Sequence, residues 1–152
     1  DPDFLRSLLR VCPLNALQFH GEESPEEVLS LAGQAKLIKT IRVRDKSSLE
    51  QIPKYRGVDA ILLDTYHPHL KGGTGTPFDW SLAVEAKQFG IPIILAGGLD
   101  PTNVQEAIRQ VGPYGVDVVS GVERSPGKKE IDQVWDFVIN AKQASNSSSA
   151  SN

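Results

Sequence analysis

The chain contains no methionine, a single cysteine, and no apolar run approaching the ~20 residues of a membrane-spanning helix. The lone Cys12 excludes an internal disulfide and fits a reducing, cytoplasmic setting. Excess positive charge is also missing: a net charge of −3 speaks against a nucleic acid as main partner. No secretory signal opens the sequence, and no membrane partner is expected. A chain that begins with Asp1 and lacks methionine is expected to have an N-terminus that is cut, processed or incompletely recorded. At 152 residues it is one domain, shorter than the ~250 residues typical of a closed eight-stranded α/β barrel.

What is present is an alternation of helix and strand signals. Phe4, Leu5, Leu8, Leu9 and Val11 recur at helical spacing, and Pro13 stops them. Strands are predicted over 14–20, 37–43, 58–63, 92–95 and 116–119. Ser24-Pro25-Glu26-Glu27 is a capping box with proline at the first helical position, so a helix is predicted to about Gly33. A short helix from Ser47 or Ser48 turns Leu49 and Ile52 inward and ends before Pro53. Asp79 is placed to cap a helix over 80–89 that Gly90 ends, and Asp100-Pro101 to start one carrying Val104, Ala107, Ile108 and Val111 on one face. Ile131, Val134, Trp135, Val138 and Ile139 pattern a last amphipathic helix. Residues 1–143 are therefore read as the folded domain, and the Ser/Asn-rich 144–152 as a disordered tail. Apolar strands separated by helices mean a parallel sheet in an α/β fold.

Three glycine-bearing signatures follow in order: Gly72-Gly73-Thr74-Gly75, Leu95-Ala96-Gly97-Gly98-Leu99, and Ser120-Gly121-Val122-Glu123. The last two end apolar runs, where backbone amides at a strand end can grip a phosphate. Asp100-Pro101, directly after the second, adds a helix dipole of favourable sign; a plain capped turn is the simpler alternative. The first lacks the lysine of a nucleotide-binding P-loop and the spacing of a dinucleotide fingerprint. Asp64 closes an apolar run and enters the longest loop. A carboxyl group buried at such a strand end is favoured in its protonated form and can donate a proton; a turn or cap aspartate is the alternative. His20 either faces the ligand or is a buried structural residue. His67 and His69 flank Pro68 with no third ligand at evident spacing, so no metal is expected. Cys12, before Pro13, reads as structural or inert. Strand parity puts Lys39 and Ile41 on one face and Arg42 on the other, without saying which is inside.

Taken together, Leu17-Gln18-Phe19-His20-Gly21, Leu62-Leu63-Asp64, the Gly72–Gly75 loop with Phe78-Asp79-Trp80, Leu95–Leu99 with Asn103-Val104, and Gly115-Val116-Asp117 through Glu123 resemble phosphoribosylanthranilate isomerase, a (βα)8 TIM-barrel family of tryptophan biosynthesis. Pro126-Gly127-Lys128 follows as in that family, and Thr76 stands where a lysine is common. The resemblance covers about residues 14–142. It implies an Amadori rearrangement of N-(5-phosphoribosyl)anthranilate to 1-(2-carboxyphenylamino)-1-deoxyribulose 5-phosphate. It makes Asp64 the general acid and gives the phosphate to Gly73, Gly97, Gly98, Ser120 and Gly121, with His20 and Thr74 as possible substrate contacts. No organic cofactor is implied.

The family's general base, a cysteine in a Lys-x-Cys-Gly motif, and its carboxylate-binding arginine, in Ser-Pro-Arg, have no counterpart in the sequence; Cys12 lies in Val11-Cys12-Pro13. By the family's layout the chain begins at the helix after the third strand and carries about five βα units, an incomplete barrel. Binding without turnover, and self-association through open sheet edges, are the resulting expectations. Two alternatives remain: a non-catalytic sugar-phosphate- or partner-binding remnant, and another phosphate-binding barrel such as indole-glycerol-phosphate synthase. The latter calls for a catalytic lysine and glutamate at strand ends and no pairing of Asp64 with a Gly-Gly-Thr-Gly loop.

Overall fold

The computed structural model describes residues 1–65 and 80–149. His67, His69, Gly73, Thr74, Thr76 and Asp79 lie outside the described residues, so the expectations attached to them find no structural account. Five strands form one parallel sheet in chain order: β1 (Ala16–Phe19), β2 (Lys36–Val43), β3 (Ala60–Thr65), β4 (Ile93–Ala96) and β5 (Gly115–Val116). Each pairs with the next, the arrangement expected of consecutive βα units laid side by side.

The elements between them have local causes. Helix α1 (Pro2–Val11) is capped by the Asp1 carboxylate, which accepts from the Asp3 N–H at 2.8 Å. Helix α2 (Pro25–Leu29) begins on the full capping box: the Glu27 N–H donates to Ser24 Oγ, and the Ser24 N–H to Glu27 Oε2. A 3₁₀ stretch (Lys46–Tyr55) buries Leu49, Ile52 and Tyr55 and runs past Pro53, where the sequence predicts a stop. Helix α3 (Ser81–Ala86) tightens into a 3₁₀ turn that Gly90 closes in the left-handed region, at φ 73°. Helix α4 (Val104–Val111) buries all four residues of its predicted face. Its start is later than predicted, because residues 101–103 are taken up by a side-chain-braced turn.

The main core lies between the helices and one face of the sheet, with Val28, Leu31, Leu37, Ile52, Ile61, Leu63, Leu95 and Val104 fully buried. Strand alternation fixes which face that is. Phe19, Leu37, Ile41, Val43, Ile61 and Leu63 point into the helix-side core. Gln18, Thr40, Arg42, Leu62 and Asp64 therefore occupy the opposite, inner face.

Two regions depart from expectation. The fifth strand is only Gly115–Val116, extended by one bond in which the Asp117 N–H donates to Leu95 O. It is followed by a 3₁₀ turn (Ser120–Val122) and a hairpin of β6 (Glu123–Ser125) and β7 (Lys128–Lys129). Helix α5 (Ile131–Ser149) continues through the stretch predicted as a disordered tail from residue 144. The correction has a packing cause: Ala144 is buried, one and two turns beyond Ala141 and Phe137, which also face the core. The patterned face read from the sequence is not the buried one. Ile131, Val134, Trp135, Val138 and Ile139 are exposed, as are Phe4 and Val11 of α1.

The starts of β2 and β3 are stitched by Asp59, which accepts from Lys36 Nζ at 2.7 Å and from the Leu37 N–H at 2.9 Å. The Lys36 ammonium, with help from that amide, holds the Asp59 carboxyl below its usual range. A depressed carboxyl contributes stability above its unfolded value of about 3.9 and loses it as pH falls through the folded value. Asp59→Asn is therefore expected to lower the unfolding temperature at neutral pH. The gap from wild type should narrow below about pH 4 and close in stronger acid. Thermal unfolding across pH at fixed protein concentration checks this; a gap independent of pH would deny the ion pair its part.

Candidate functional site

Three ionisable residues, His20, Arg42 and Asp64, lie at the carboxyl end of the sheet on its inner face. Asp64 sits opposite Arg42 of β2 on one side and Ala96 of β4 on the other. His20, immediately after β1, reaches over β2 and brings Nε2 to 3.4 Å from Asp64 Oδ2. The His20 side chain is 46 % exposed and that of Asp64 28 %, so His20 is not the buried structural histidine that was one of its two readings. Arg42, exposed, shares this face, and Lys39 lies on the other. One layer deeper, Gln18 Nε2 donates to Thr40 Oγ1 at 3.3 Å.

The two glycine turns begin one step away. Ala96, the register partner of Asp64, is followed by Gly97 and Gly98 at φ 81° and 66°, a pair of left-handed residues that L side chains resist. Successive residues of this kind orient backbone amides toward a common anion. The turn is then locked. Asp100 Oδ1 accepts from the Thr102 N–H (2.7 Å), Thr102 Oγ1 (2.6 Å) and the Asn103 N–H (3.1 Å). Asn103 answers through Oδ1, which accepts from the Asp100 N–H, and Nδ2, which donates to Gly98 O at 2.9 Å. Helix α4 starts directly behind, so its positive end faces the turn.

The second turn, Ser120-Gly121, rests on the first. A Cβ at Gly121 would collide with the Leu99 carbonyl oxygen and stand 2.9 Å from its carbon and 3.1 Å from Asp100 Cα. Gly121 is thus required for close approach rather than for an unusual φ. Lys129 Nζ donates to Val119 O (2.6 Å) and Glu123 Oε1 (2.9 Å), pinning the turn at both ends. The Lys129 ammonium also holds the Glu123 carboxyl below its usual range.

Sequence reading missed a second arrangement, on the outer side of the β1–α2 turn. Lys39 is almost wholly buried; its Nζ donates to Gly21 O and to Glu23 Oε2, each at 2.7 Å, and lies 5.4 Å from the centre of the Tyr55 ring. Tyr55 Oη donates to Glu23 O at 2.8 Å, and the Gly21 N–H donates to the Glu23 carboxylate. Burial opposes ionisation of Glu23, but the Lys39 hydrogen bond and nearby amides outweigh it and lower its pKa. The available signal was a lysine in the middle of an apolar strand: such a cation faces either the inner cavity or a buried carboxylate.

Cys12, exposed just before β1, lies at the opposite end of the sheet from Asp64. Among the described residues no three His, Cys, Asp or Glu side chains are grouped to hold a metal ion, and no helix is long and apolar enough to cross a membrane.

Comparison with known proteins gives a consistent picture. The family model "N-(5'phosphoribosyl)anthranilate (PRA) isomerase" matches residues 1–140. An N-(5'-phosphoribosyl)anthranilate isomerase of Trichlorobacter lovleyi is 46 % identical over 143 residues, covering 94 % of this chain and 68 % of that protein. The crystal structure of phosphoribosyl anthranilate isomerase from Thermotoga maritima superposes with a TM-score of 0.82 at 41 % identity, covering 93 % of this chain and 68 % of that one. Another isomerase structure, in complex with reduced 1-(o-carboxyphenylamino)-1-deoxyribulose 5-phosphate, aligns at TM-score 0.79 and 37 % identity, covering 93 % of this chain and 66 % of that one.

Proposed function

The chain belongs to the N-(5'-phosphoribosyl)anthranilate isomerase family, and from that premise we propose that its carboxyl-end face binds the phosphate of phosphoribosylanthranilate and supplies the acid of the Amadori rearrangement. The observation that carries the reading is the adjacency of Asp64, through Ala96, to the Gly97-Gly98 turn. A sugar phosphate held by amides of that turn and of Ser120-Gly121 lies with its ring beside the Asp64 carboxyl.

In the first step the protonated Asp64 gives its proton to the furanose ring oxygen. The C1′–O bond breaks as the anthranilate nitrogen lone pair forms the C=N bond. Removal of the C2′ proton from this iminium then gives the enolamine, which tautomerises to the aminoketose. Asp64 regains its proton from solvent. The chain's own residues hold the phosphate and handle the proton at the ring oxygen. Among these 152 residues no side chain is assigned the role of base, because the lone Cys12 is at the wrong end of the sheet.

The chain spans about two thirds of the length of the relatives compared above. On this reading the 152-residue chain alone gives no turnover of freshly prepared phosphoribosylanthranilate, and gains it when the N-terminal third of a relative is supplied in trans. Turnover by the chain alone would place the base within it. No turnover in either case, together with no binding of the aminoketose product, would favour a non-catalytic barrel that has kept the fold.

The same proposal extends to self-association. Strands β1 and β5 each have one unpaired edge among the described residues, and α1 and α5 expose apolar side chains. The chain alone is expected to sediment as concentration-dependent oligomers and to shift toward a defined complex on addition of the complementing segment. A sharp, reversible, concentration-independent unfolding of a monomer would contradict this.

A further inference from the structure

We propose that His20 is a positioning residue for Asp64, and that the Lys39–Glu23 pair on the far side of the sheet sets where His20 stands. The inference rests on Asp64 acting as the acid.

A carboxyl that delivers its proton to one ring oxygen works best when one of its two oxygens is already committed. Left free, the group rotates about its Cβ–Cγ bond and can carry the proton on either oxygen. His20 Nε2 stands 3.4 Å from Asp64 Oδ2, a contact that a modest approach of the two groups turns into a hydrogen bond. An imidazole N–H given to Oδ2 leaves the acidic proton on Oδ1. The arrangement is the carboxyl analogue of a third group orienting a catalytic base.

Why His20 stands there is answered on the outer face. The peptide linking His20 to Gly21 offers its N–H to the Glu23 carboxylate at 3.1 and 3.2 Å, and the Gly21 carbonyl accepts from Lys39 Nζ. Both peptide groups flanking Gly21 are thus fixed by one ion pair whose lysine is buried and whose Glu23 is partly exposed, with Tyr55 closing it from the side. A methyl on Gly21 would sit 2.9 Å from Glu23 Oε1, the end of a flexible side chain that would have to shift to make room. A buried lysine that serves only stability is an expensive solution, since an apolar residue of similar size usually does as well. Holding a turn in one geometry explains its use.

The test is steady-state kinetics on the chain complemented with the N-terminal third of a relative. His20→Ala is expected to lower kcat by about 10- to 100-fold with KM changed less than about 3-fold, the pattern of a lost transition-state interaction. His20→Gln, which can return an amide N–H to the place of Nε2, should recover most of that loss. Lys39→Met should reproduce the kcat defect in milder form. In an Asp64→Asn background neither His20→Ala nor Lys39→Met should cost anything further, because the group they position is gone. His20 is exposed, so its variants are expected to fold; near-ultraviolet circular dichroism verifies this for each protein. A raised KM at unchanged kcat would make His20 a substrate contact and overturn the proposal. Full additivity with Asp64→Asn would overturn it too. A wild-type kcat in Asp64→Asn alone would instead remove the acid assignment on which it depends.

Discussion

Asp64→Asn in the complemented chain lowers kcat by about 10²–10⁴-fold and leaves the affinity for the aminoketose product within a few-fold of wild type. Asparagine keeps the shape and one acceptor oxygen but has no transferable proton, so the loss isolates proton donation to the ring oxygen. On the proposed reading binding survives, because the phosphate is held by turns braced by hydrogen bonds among Gly98, Asp100, Thr102, Asn103 and Lys129. Single-turnover kinetics with product binding measured by calorimetry separates the two effects. An unchanged kcat would take the acid role from Asp64. A parallel collapse of product affinity would mean that the side chain binds substrate instead.

Gly121→Ala is expected to do the opposite, removing binding while leaving the acid in place. The added methyl meets backbone, the Leu99 carbonyl and Asp100 Cα, and Leu99 itself is buried. Neither neighbour can rotate away, so the two glycine turns must separate. Overpacking of this kind costs about 1–3 kcal/mol where side chains absorb it, and more where backbone must move. A shift approaching 1 Å in either turn spoils a two-sided phosphate grip, and kcat/KM should fall about 10²-fold. Gly127→Ala is the control. Gly127 has φ 76° and open space around its Cα, so alanine there strains the backbone by about 1 kcal/mol and meets nothing. It should lower the unfolding temperature slightly and leave phosphate affinity alone. Equal losses of affinity in the two variants would argue against Gly121 as a spacer between the turns.

Legibility in the sequence followed how local each cause was. The capping box at Ser24, the glycine stop at Gly90 and the apolar face of α4 are settled within a few residues, and they stand where the sequence places them. The parallel sheet followed from the alternation of those local signals, and the sequential order of its strands from the barrel family resembled. The fifth strand and the C-terminal helix were misjudged because their extents are set by partners. β5 pairs with β4 only at Ile94 and Leu95, and α5 extends because Ala144 finds a core contact that composition does not reveal. The strand-end positions of Asp64 and of the Gly97-Gly98 turn were legible from the apolar runs that precede them. The approach of His20 to Asp64 could not be read, since β2 lies between their strands. Lys39 was ambiguous for a simpler reason: parity gives two faces, and the choice between them depends on a carboxylate brought back by the β1–α2 turn.

The pairing of each strand only with its immediate successor also bears on how the domain assembles. Every ladder joins residues about 20 to 30 positions apart, so no step waits for a distant segment to arrive. Structure can spread along the sheet as each new βα unit finds a finished neighbour, much as in stacked repeats. Such a chain can acquire its central strands while still emerging from the ribosome, with β2, β3 and β4 gaining protection from hydrogen exchange before the two outer strands.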